Sequence, residues 1–424
     1  MTRSLPASIC AALAGCGGSI ERRWLAIVGA LSLVGLACWR TPMGEQQRTT
    51  TSDGATAVFR DARCAGTWSF ATQTKYAAKG MPSAIAVGDL NGDGHTDLAF
   101  ANYNVAGTVS VLLNMGDGTF GTATTYAVGN SPESIAVGDL DGDGALDLVA
   151  TNIDDNTISV LLNAGNGTFR AQVTYAAGNS PGSVTVGDFN QDGLPDLAVV
   201  NDDLPNNLSV FFNAGRGRFR APVTYSETYW PSSVVAADLN RDGVLDLAYA
   251  NMGQGTVNVL LNTGEGAFGA CQSYFETADA DTGSIAVADF NRDGYPDIVA
   301  ANDFVPGGVV VLFNSGDGSF GTQVAYLTGA PVSEMGEFGG AVAVGDFNGD
   351  GQPDIAAVNN FATNVGVLLN AGDGTFGVAS TYAAGYAGAS FEAIAAGDFN
   401  ADGVDDIATA NGDYTVSVLL SQCQ

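Results

Sequence analysis

A nine-residue acidic segment occurs seven times in this chain and constrains its fold more than any other feature. Each copy reads D-x-(N/D)-x-D-G-x-x-D. The copies lie 50, 49, 50, 51, 57 and 52 residues apart and begin at Asp89, Asp139, Asp188, Asp238, Asp289, Asp346 and Asp398. A repeat of this period predicts an array of similar structural units that forms one closed domain.

The acidic segments have the composition of cation-binding loops. Oxygen-bearing side chains at alternate positions of a tight loop converge on one point, and the glycine supplies the sharp turn that folds them inward. Hard oxygen ligands at this density favour Ca²⁺. A merely solubilising acidic surface is the alternative, but it does not explain the fixed spacing. We therefore expect up to seven structural calcium ions.

The charge of the chain limits its partners. The 424 residues include 15 Lys and Arg against 45 Asp and Glu, a formal net charge of -30. Such a chain repels a phosphate backbone, so we do not expect nucleic acid as a partner.

Residues 1–38 have the features of an export leader. Arg22 and Arg23 precede an apolar run, Trp24–Leu36, that is shorter than an ordinary transmembrane helix. Cleavage after Ala37 and a lipoprotein with lipidated Cys38 are both compatible with this pattern. The protein is then bacterial and either secreted or held at the cell surface, with a lipid on Cys38 as its only membrane contact.

Other interpretations of the leader stay open. Leu13–Cys16 offers a second lipidation motif, translation could start downstream of Met1, and the apolar run could remain as an uncleaved anchor. Residues 39–63 are polar and show no hydrophobic period, which predicts a flexible linker ahead of a domain at 64–424.

Each repeat contains four short apolar or alternating runs. In the first repeat they are Ser83–Val87, Leu98–Ala101, Val109–Leu113 and Phe120–Tyr126. No helical period appears. Four short strands in about 50 residues are typical of a β-propeller blade. The fold class predicted is therefore all-β, a seven-bladed propeller. We expect the recurring Phe and Tyr of the fourth strand to pack blade against blade.

The two ends of the repeat region are incomplete in complementary ways. The seventh repeat stops after its third strand, Val416–Leu420, while Phe70–Tyr76 matches a fourth strand that lacks the first three. Pairing the N-terminal strand with the C-terminal blade closes the ring and removes the free sheet edges.

The cysteines support the same closure. Cys64 and Cys423 fall in the same predicted hairpin turn, close enough for a disulfide in an exported protein. Two unpaired thiols are the alternative. Cys271 lies in the fourth strand of blade four and is expected to be buried and inert.

These features resemble the FG-GAP/VCBS repeat family, which includes bacterial surface proteins and the head of integrin α-subunits. The resemblance covers about residues 66–424 and rests on the acidic loops, on the Asn that ends each second strand, and on turns such as Asn114-x-Gly116-x-Gly118-x-Phe120. It implies a seven-bladed propeller with Ca²⁺ between the first and second strands of a blade. The backbone carbonyl of His95 would add an oxygen in the first loop.

The resemblance also implies the side-chain ligands, at positions one, three, five and nine of each loop. They are Asp89, Asn91, Asp93, Asp97, Asp139, Asp141, Asp143, Asp147, Asp188, Asn190, Asp192, Asp196, Asp238, Asn240, Asp242, Asp246, Asp289, Asn291, Asp293, Asp297, Asp346, Asn348, Asp350, Asp354, Asp398, Asn400, Asp402 and Asp406.

Catalysis has little basis in the sequence. His95 is the only histidine and lies inside a predicted calcium loop, so no Ser/His/Asp or Cys/His set can be assembled elsewhere. We expect a non-enzyme. A carbohydrate-active enzyme that uses loop carboxylates is the weaker alternative.

Binding is the better interpretation, on the face opposite the acidic loops. The connections there are longest in the second half of the chain, at 227–230, 275–281, 327–338 and 386–391, and they include Tyr229 and Trp230. Loops on a rigid scaffold commonly carry recognition. We expect a monomer that binds a protein or glycan. A blade-capping role for Tyr229 and Trp230, and a purely structural part of the cell envelope, are the alternatives.

Overall fold

The structure is a computed structural model that describes residues 68–104, 106–203, 207–226, 230–275, 282–302, 308–329, 340–359, 364–385 and 391–423. The predicted leader, 1–38, and linker, 39–63, lie outside the described residues. All regular secondary structure in the described ranges is β-strand.

Six four-stranded antiparallel sheets follow one another along the chain, each with its strands in sequence order. Blade one contains β3 (Met81–Gly88), β4 (Asp97–Tyr103), β5 (Thr108–Leu112) and β6 (Thr124–Ala127). Blade two contains β7 (Pro132–Gly138), β8 (Asp147–Asn152), β9 (Thr157–Leu161) and β10 (Val173–Ala176). Blade three contains β11 (Pro181–Gly187), β12 (Asp196–Asn201), β13 (Asn207–Phe211) and β14 (Val223–Ser226).

The next three blades repeat the pattern. Blade four contains β15 (Pro231–Ala237), β16 (Asp246–Asn251), β17 (Thr256–Leu260) and β18 (Gln272–Phe275). Blade five contains β19 (Thr282–Ala288), β20 (Asp297–Asn302), β21 (Gly308–Leu312) and β22 (Val324–Leu327). Blade six contains β23 (Val342–Gly345), β24 (Asp354–Asn359), β25 (Asn364–Leu368) and β26 (Ser380–Ala383).

Blade seven joins the two ends of the chain, which confirms the predicted closure. Its strands β27 (Phe391–Gly397), β28 (Asp406–Asn411) and β29 (Thr415–Leu419) are completed by β2 (Thr74–Ala77). A second pair, β1 (Trp68–Phe70) with β30 (Ser421–Cys423), lies beside it. The pairing of Phe70 with Ser421 repeats the Asn114–Phe120 bridge of blade one, so this virtual turn matches the covalent ones.

The fourth strands are shorter than the sequence pattern suggested. In blade one the strand begins at Thr124, not at Phe120, and Phe120 makes only an isolated bridge with Asn114. The Gly121 amide still donates to the Leu113 carbonyl at 2.9 Å, and the regular ladder resumes at Thr124. Phe120 packs into the interface with the preceding blade, where its ring contacts Phe399.

The core lies between the blades. The first three strands of each blade are almost wholly buried and form apolar clusters with the next blade; Ala86 and Val109 of blade one pack with Ile135 and Leu148 of blade two. This explains their near-continuous Val, Ile, Leu and Ala composition, because both faces of each sheet are covered.

Aromatic pairs fasten the outer part of each junction, as predicted. The fourth-strand Tyr of one blade packs edge-on against the turn Phe of the next. Tyr126 and Phe169 have ring centroids 5.3 Å apart, and the Tyr126 hydroxyl donates to the Gly167 carbonyl at 3.2 Å. Tyr76 of blade seven makes the same contact with Phe120 of blade one, at 5.4 Å.

Serine hydroxyls link neighbouring first strands near the ring centre. Each accepts a hydrogen bond from a backbone N–H of the following blade, over 3.1–3.3 Å: Ser134 from Val184, Ser183 from Val234, Ser233 from Ile285 and Ser284 from Val342. No helix in the described part of the chain is long and apolar enough to cross a membrane.

Candidate calcium loops and the variable-loop face

The acidic loops connect the first and second strands of their blades, and their backbones are folded around position one. In loop one, Asp89 Oδ1 accepts from the amides of Gly92 at 2.7 Å and Asp93 at 3.1 Å, while Asp89 Oδ2 accepts from Gly94 at 2.8 Å. The bond from the glycine amide at position six to position one recurs in all seven loops. Gly94 adopts a φ of 86°, which a side chain would disfavour.

Position nine is a fully buried carboxylate with a structural function. Asp97 Oδ2 accepts from the Leu90 amide at 2.9 Å, and Oδ1 accepts from the Asn114 amide of the hairpin turn at 2.7 Å. The first bond closes the loop, and the second ties the loop to strands three and four of the same blade. All seven loops contain both bonds.

Burial opposes the ionisation of the position-nine carboxylates. Desolvation raises the pKa of Asp97 to about 6 and that of Asp354 to about 8, although backbone amides that donate to them lower it; the neighbouring loop carboxylates raise it further. The remaining five have pKa values raised to about 6 or 7: Asp147, Asp196, Asp246, Asp297 and Asp406. A cation in the loop would oppose this effect by stabilising the ionised form.

Loop two brings three carboxylates together. Ligand oxygens of Asp139, Asp141 and Asp147 all lie within 4.8 Å of one another. The third position is Asn in the other loops, where its Oδ1 accepts the amide of position five, as Asn91 does from Asp93 at 2.8 Å. Asp141 Oδ1 is buried and accepts no hydrogen bond from any described residue. A buried, unpaired carboxylate oxygen beside two further carboxylates fits a bound divalent cation.

The predicted ligand positions do not have equal surroundings. Positions one, three and nine form the loop-two triad, whereas Asp143 at position five accepts the Ala145 amide at 2.9 Å. The donor set consists of carboxylate and amide oxygens throughout, which suits Ca²⁺. The predicted calcium ligands therefore lie in loops whose composition and folding fit the ion, and the assignment of each as a ligand remains a prediction.

The turn Asn joins each loop to the loop of the preceding blade. The Asn163 amide nitrogen donates to the carbonyls of Leu146 in its own blade at 2.8 Å and of Leu90 in blade one at 2.7 Å. Its Oδ1 accepts the Gly165 amide at 2.9 Å. The sequence indicated only a turn here, because the second carbonyl is 73 residues away.

Several further side chains link adjacent loops, and no repeated sequence pattern marks them. Gln191 donates to the Gly243 carbonyl and Arg292 to the Gly351 carbonyl, both at 2.9 Å. The guanidinium of Arg241 lies 4.8 Å from the ring centre of Tyr295. Asp405 accepts the Asp346 amide at 2.8 Å, and burial raises the pKa of Asp405.

The opposite face holds the variable connections. Much of the predicted recognition surface lies outside the described residues, at 227–229, 276–281, 330–339 and 386–390. Trp230, which begins blade four, is 49% exposed, and Tyr414, between strands two and three of blade seven, is 58% exposed. Half of the Trp230 surface is therefore open and half is covered, so recognition and blade capping both remain predictions for this ring.

The terminal cysteine is in the predicted state. Cys423 is disulfide-bonded, and its partner lies outside the described residues. The pairing with Cys64 remains a prediction. Cys271, predicted to be buried, is half-buried because it lies directly before the outer strand of blade four; its Sγ lies 3.3 Å from the Tyr249 hydroxyl oxygen.

The repeats match a known protein family. The profile of a family described as an FG-GAP-like repeat matches seven overlapping stretches, residues 49–100, 89–150, 139–199, 188–249, 245–300, 289–357 and 346–409. No curated protein matches the chain significantly.

Solved structures share the fold at low sequence identity. A lectin from Agrocybe aegerita that recognises non-reducing terminal N-acetylglucosamine is 19% identical, with a TM-score of 0.51 over 83% of this chain and 96% of its own. A catalytically inactive virginiamycin B lyase from Staphylococcus aureus with quinupristin is 13% identical, with a TM-score of 0.55 over 83% and 99%. BBS1N in complex with ARL6DN is 10% identical, with a TM-score of 0.56 over 83% and 96%.

Proposed function

Because the chain belongs to the FG-GAP-like repeat family and folds as a seven-bladed propeller, we propose that it is an exported, calcium-stabilised module that binds a protein or glycan through its variable-loop face. Binding and scaffolding are general uses of the fold, and the particular partner must come from the site. The exposed Trp230 is the observation that supports this proposal most directly.

Trp230 has the properties of a recognition residue. Half of a large amphipathic ring is open to solvent, while its backbone is held by the Met252 amide, which donates to the Trp230 carbonyl at 3.0 Å. A ring anchored on a rigid sheet loses little conformational freedom on binding, and aromatic faces suit both sugars and apolar protein surfaces. The lectin among the solved relatives shows that a propeller of this shape can recognise a glycan.

Calcium has a supporting function in this proposal. Each ion is held by the side chains at positions one, three, five and nine of its loop. It neutralises carboxylates whose ionisation burial opposes, and it makes the blades rigid so that the opposite face keeps its shape. In this proposal the ligand does not contact the calcium ions. Export, followed by secretion or by lipidation at Cys38, places the protein in calcium-rich surroundings.

A glycan and matrix-protein array tests the proposal. The full mature chain, loaded with calcium, is compared with Trp230→Ala and with Met115→Ala, which removes an exposed side chain (68%) from a turn on the acidic-loop face. We expect selective binding that Trp230→Ala weakens at least about tenfold and Met115→Ala leaves unchanged. An array on which wild type and Trp230→Ala behave alike would reject this face and favour a purely structural function.

A further inference from the structure

The hairpin turn of blade three carries an unusual concentration of positive charge. Arg216, Arg218 and Arg220 lie in or directly after this turn, and Arg170 occupies the matching end of the turn in blade two. All four side chains are exposed. They make up four of the eight Lys and Arg residues between 68 and 423, in a chain whose net charge is -30.

The backbone of the blade-three turn is firmly held. The Gly217 amide donates to the Leu140 carbonyl at 3.0 Å, and the Asn213 side chain donates to the same carbonyl at 2.9 Å. Phe219 is buried, and its ring centroid lies 5.6 Å from that of Tyr175 in blade two. Arg218 and Arg220 flank this buried ring and therefore project away from it, about 7 Å apart on extended backbone.

The side chains of these arginines have no partner within the described residues, whereas three of the other four Lys and Arg side chains there do. Lys75 pairs with Asp413 at 3.1 Å, Arg292 donates to a carbonyl, and Arg241 stacks on Tyr295. No ion pair, side-chain hydrogen bond or ring contact joins Arg170, Arg216, Arg218 or Arg220 to the described part of the chain. An ion pair within the described part of the chain therefore does not explain why these four arginines are present.

Arg216 and Arg218 also stand where other blades have a pair of side chains that stabilises the turn by hydrogen bonds. In blade one, Asp117 Oδ1 accepts both the Thr119 amide at 3.0 Å and the Thr119 hydroxyl at 2.5 Å. Blades two, five and six repeat this arrangement. Blade three has Arg at both positions, and Arg216 takes a φ of 59°, which is unfavourable for a long side chain. The arginines are not required to form the turn.

We propose that the arginine turn of blade three, with Arg170 beside it, binds the sulfate or carboxylate groups of an acidic polysaccharide chain. Guanidinium forks bind such groups through paired hydrogen bonds. Loop two lies against this turn, because Gly217 donates to Leu140 between Asp139 and Asp141. Under the proposed function, calcium in loop two offsets the charge of these carboxylates. A thin polymer can then touch this edge without covering the other acidic loops, which salt screens beyond about 8 Å. A flat anionic membrane or duplex would cover those loops and be repelled. Single-stranded nucleic acid favours exposed aromatic rings, and the nearest rings, Phe219 and Tyr175, are buried or half-buried.

The test uses one sugar backbone with different charges. Calcium-loaded full-length protein is passed over immobilised dextran sulfate, carboxymethyl dextran and plain dextran at about 0.15 M salt, where charges are screened beyond about 8 Å. The test variant is Arg216→Asp, Arg218→Thr, Arg220→Gly, which copies the blade-one turn and should fold. We expect wild type to bind at least one charged dextran, and the variant to bind it about tenfold or more weakly.

A second variant controls for net charge. Lys79→Glu, Met115→Asp and Val378→Asp lower the net charge by the same four units at exposed positions outside the arginine turn. We expect it to bind within about twofold of wild type, since its distant charges are screened. The proposal is overturned if both variants lose binding equally, if neither charged dextran binds better than plain dextran, or if phosphatidylserine vesicles or single-stranded DNA bind more tightly through the same arginines. Trp230→Ala should leave this binding unchanged, which separates it from the variable-loop face.

Discussion

A single residue type has different functions at different positions of the acidic loop. Asp at position one organises the backbone, Asp at position nine is buried and joins the loop to the hairpin turn, and Asp141 at position three has an oxygen without a donor. Sequence spacing identified all of these as ligand candidates. The difference between them arises from burial and from backbone amides, which depend on how the loop folds.

Asp141→Asn should stabilise the calcium-free protein. Asn at this position can accept the Asp143 amide, as Asn91 accepts that of Asp93, and it removes one negative charge from the triad. We expect the free energy of unfolding in chelator to rise by about 1 kcal/mol, while the gain on adding calcium becomes smaller. Thermal melts with and without calcium measure both effects. Asp143→Asn is the control, since it removes the same charge without supplying the missing bond; an unchanged melt of Asp141→Asn in chelator would contradict the prediction.

Asp202 should make stability depend on pH. Burial, and then the charge of Asp203, raise the pKa of Asp202 from 3.8 to about 6. Between about pH 4 and 6, Asp202 is ionised in the unfolded chain but still protonated in the folded protein. Its contribution to the free energy of unfolding therefore falls as the pH rises through this range, and it is constant above about pH 6. Asp202→Asn should match wild type near pH 4 and exceed it at pH 7 by about 2 kcal/mol or less. Denaturant melts at saturating calcium test this, and parallel pH profiles would contradict it.

At the scale of elements, the closure of the ring uses most of the contacts of a covalent hairpin turn. β2 takes the fourth-strand place beside β29, Ser421 takes the place of the turn Asn, and Phe70 packs against Tyr382 with centroids 5.0 Å apart. The amide of Ser421 donates to Asp406 Oδ1 at 2.7 Å, the bond that the turn Asn makes elsewhere. The closure lacks a covalent connection between strands, and it also lacks the side-chain amide bonds of the turn Asn, because the buried Ser421 hydroxyl has no hydrogen-bond partner among the described residues. Cys423, next to this turn, is disulfide-bonded.

The Cys423→Ser variant should unfold more easily than the wild type. We expect it to lower the free energy of unfolding by about 3–5 kcal/mol, because the bond closes a very long loop. If Cys64 is the partner, Cys64→Ser should have the same effect and the double variant no greater one. Melts without reductant measure this, with Cys271→Ser as the control for loss of a thiol. A stable Cys64→Ser protein would show that another cysteine is the partner.

At the scale of the whole molecule, hydrogen bonds join the acidic loops of neighbouring blades. Each turn Asn donates to the loop of the preceding blade, and Gln191, Arg292 and Asp405 add further links between neighbours. Changes in one loop therefore reach the next through short hydrogen bonds. Calcium binding should consequently affect the cooperativity of unfolding as well as its midpoint.

Removing calcium should lower the melting temperature strongly. When free calcium is about 100 times above the Kd of one site, binding raises the free energy of unfolding by about 2.7 kcal/mol, and several sites should raise it further. We expect a large difference between melts in calcium and in chelator, and calorimetric titration should detect up to seven ions. Magnesium at the same concentration is the control, since its rigid octahedral preference suits these loops less. Superimposable melting curves would contradict the prediction.

Sequence alone determined the architecture of this protein, because its determinants are local and repeated. The acidic loops, the glycine turns and the alternation of short strands recur in each blade, and the incomplete repeats at the two ends predicted the closure before any contact was known. The repeated Phe and Tyr likewise predicted the aromatic junctions. One repeat specifies the local structure of all seven.

The tertiary structure decided what each repeated residue contacts. The second partner of the turn Asn, the burial that raises the pKa of Asp354 and the unpaired arginines of blade three all depend on neighbours at least 50 residues away in sequence or on solvent exposure. A periodic pattern states which positions are equivalent, whereas electrostatics and hydrogen bonding depend on three-dimensional distance. Folding therefore distinguished residues that the sequence presented as copies of one another.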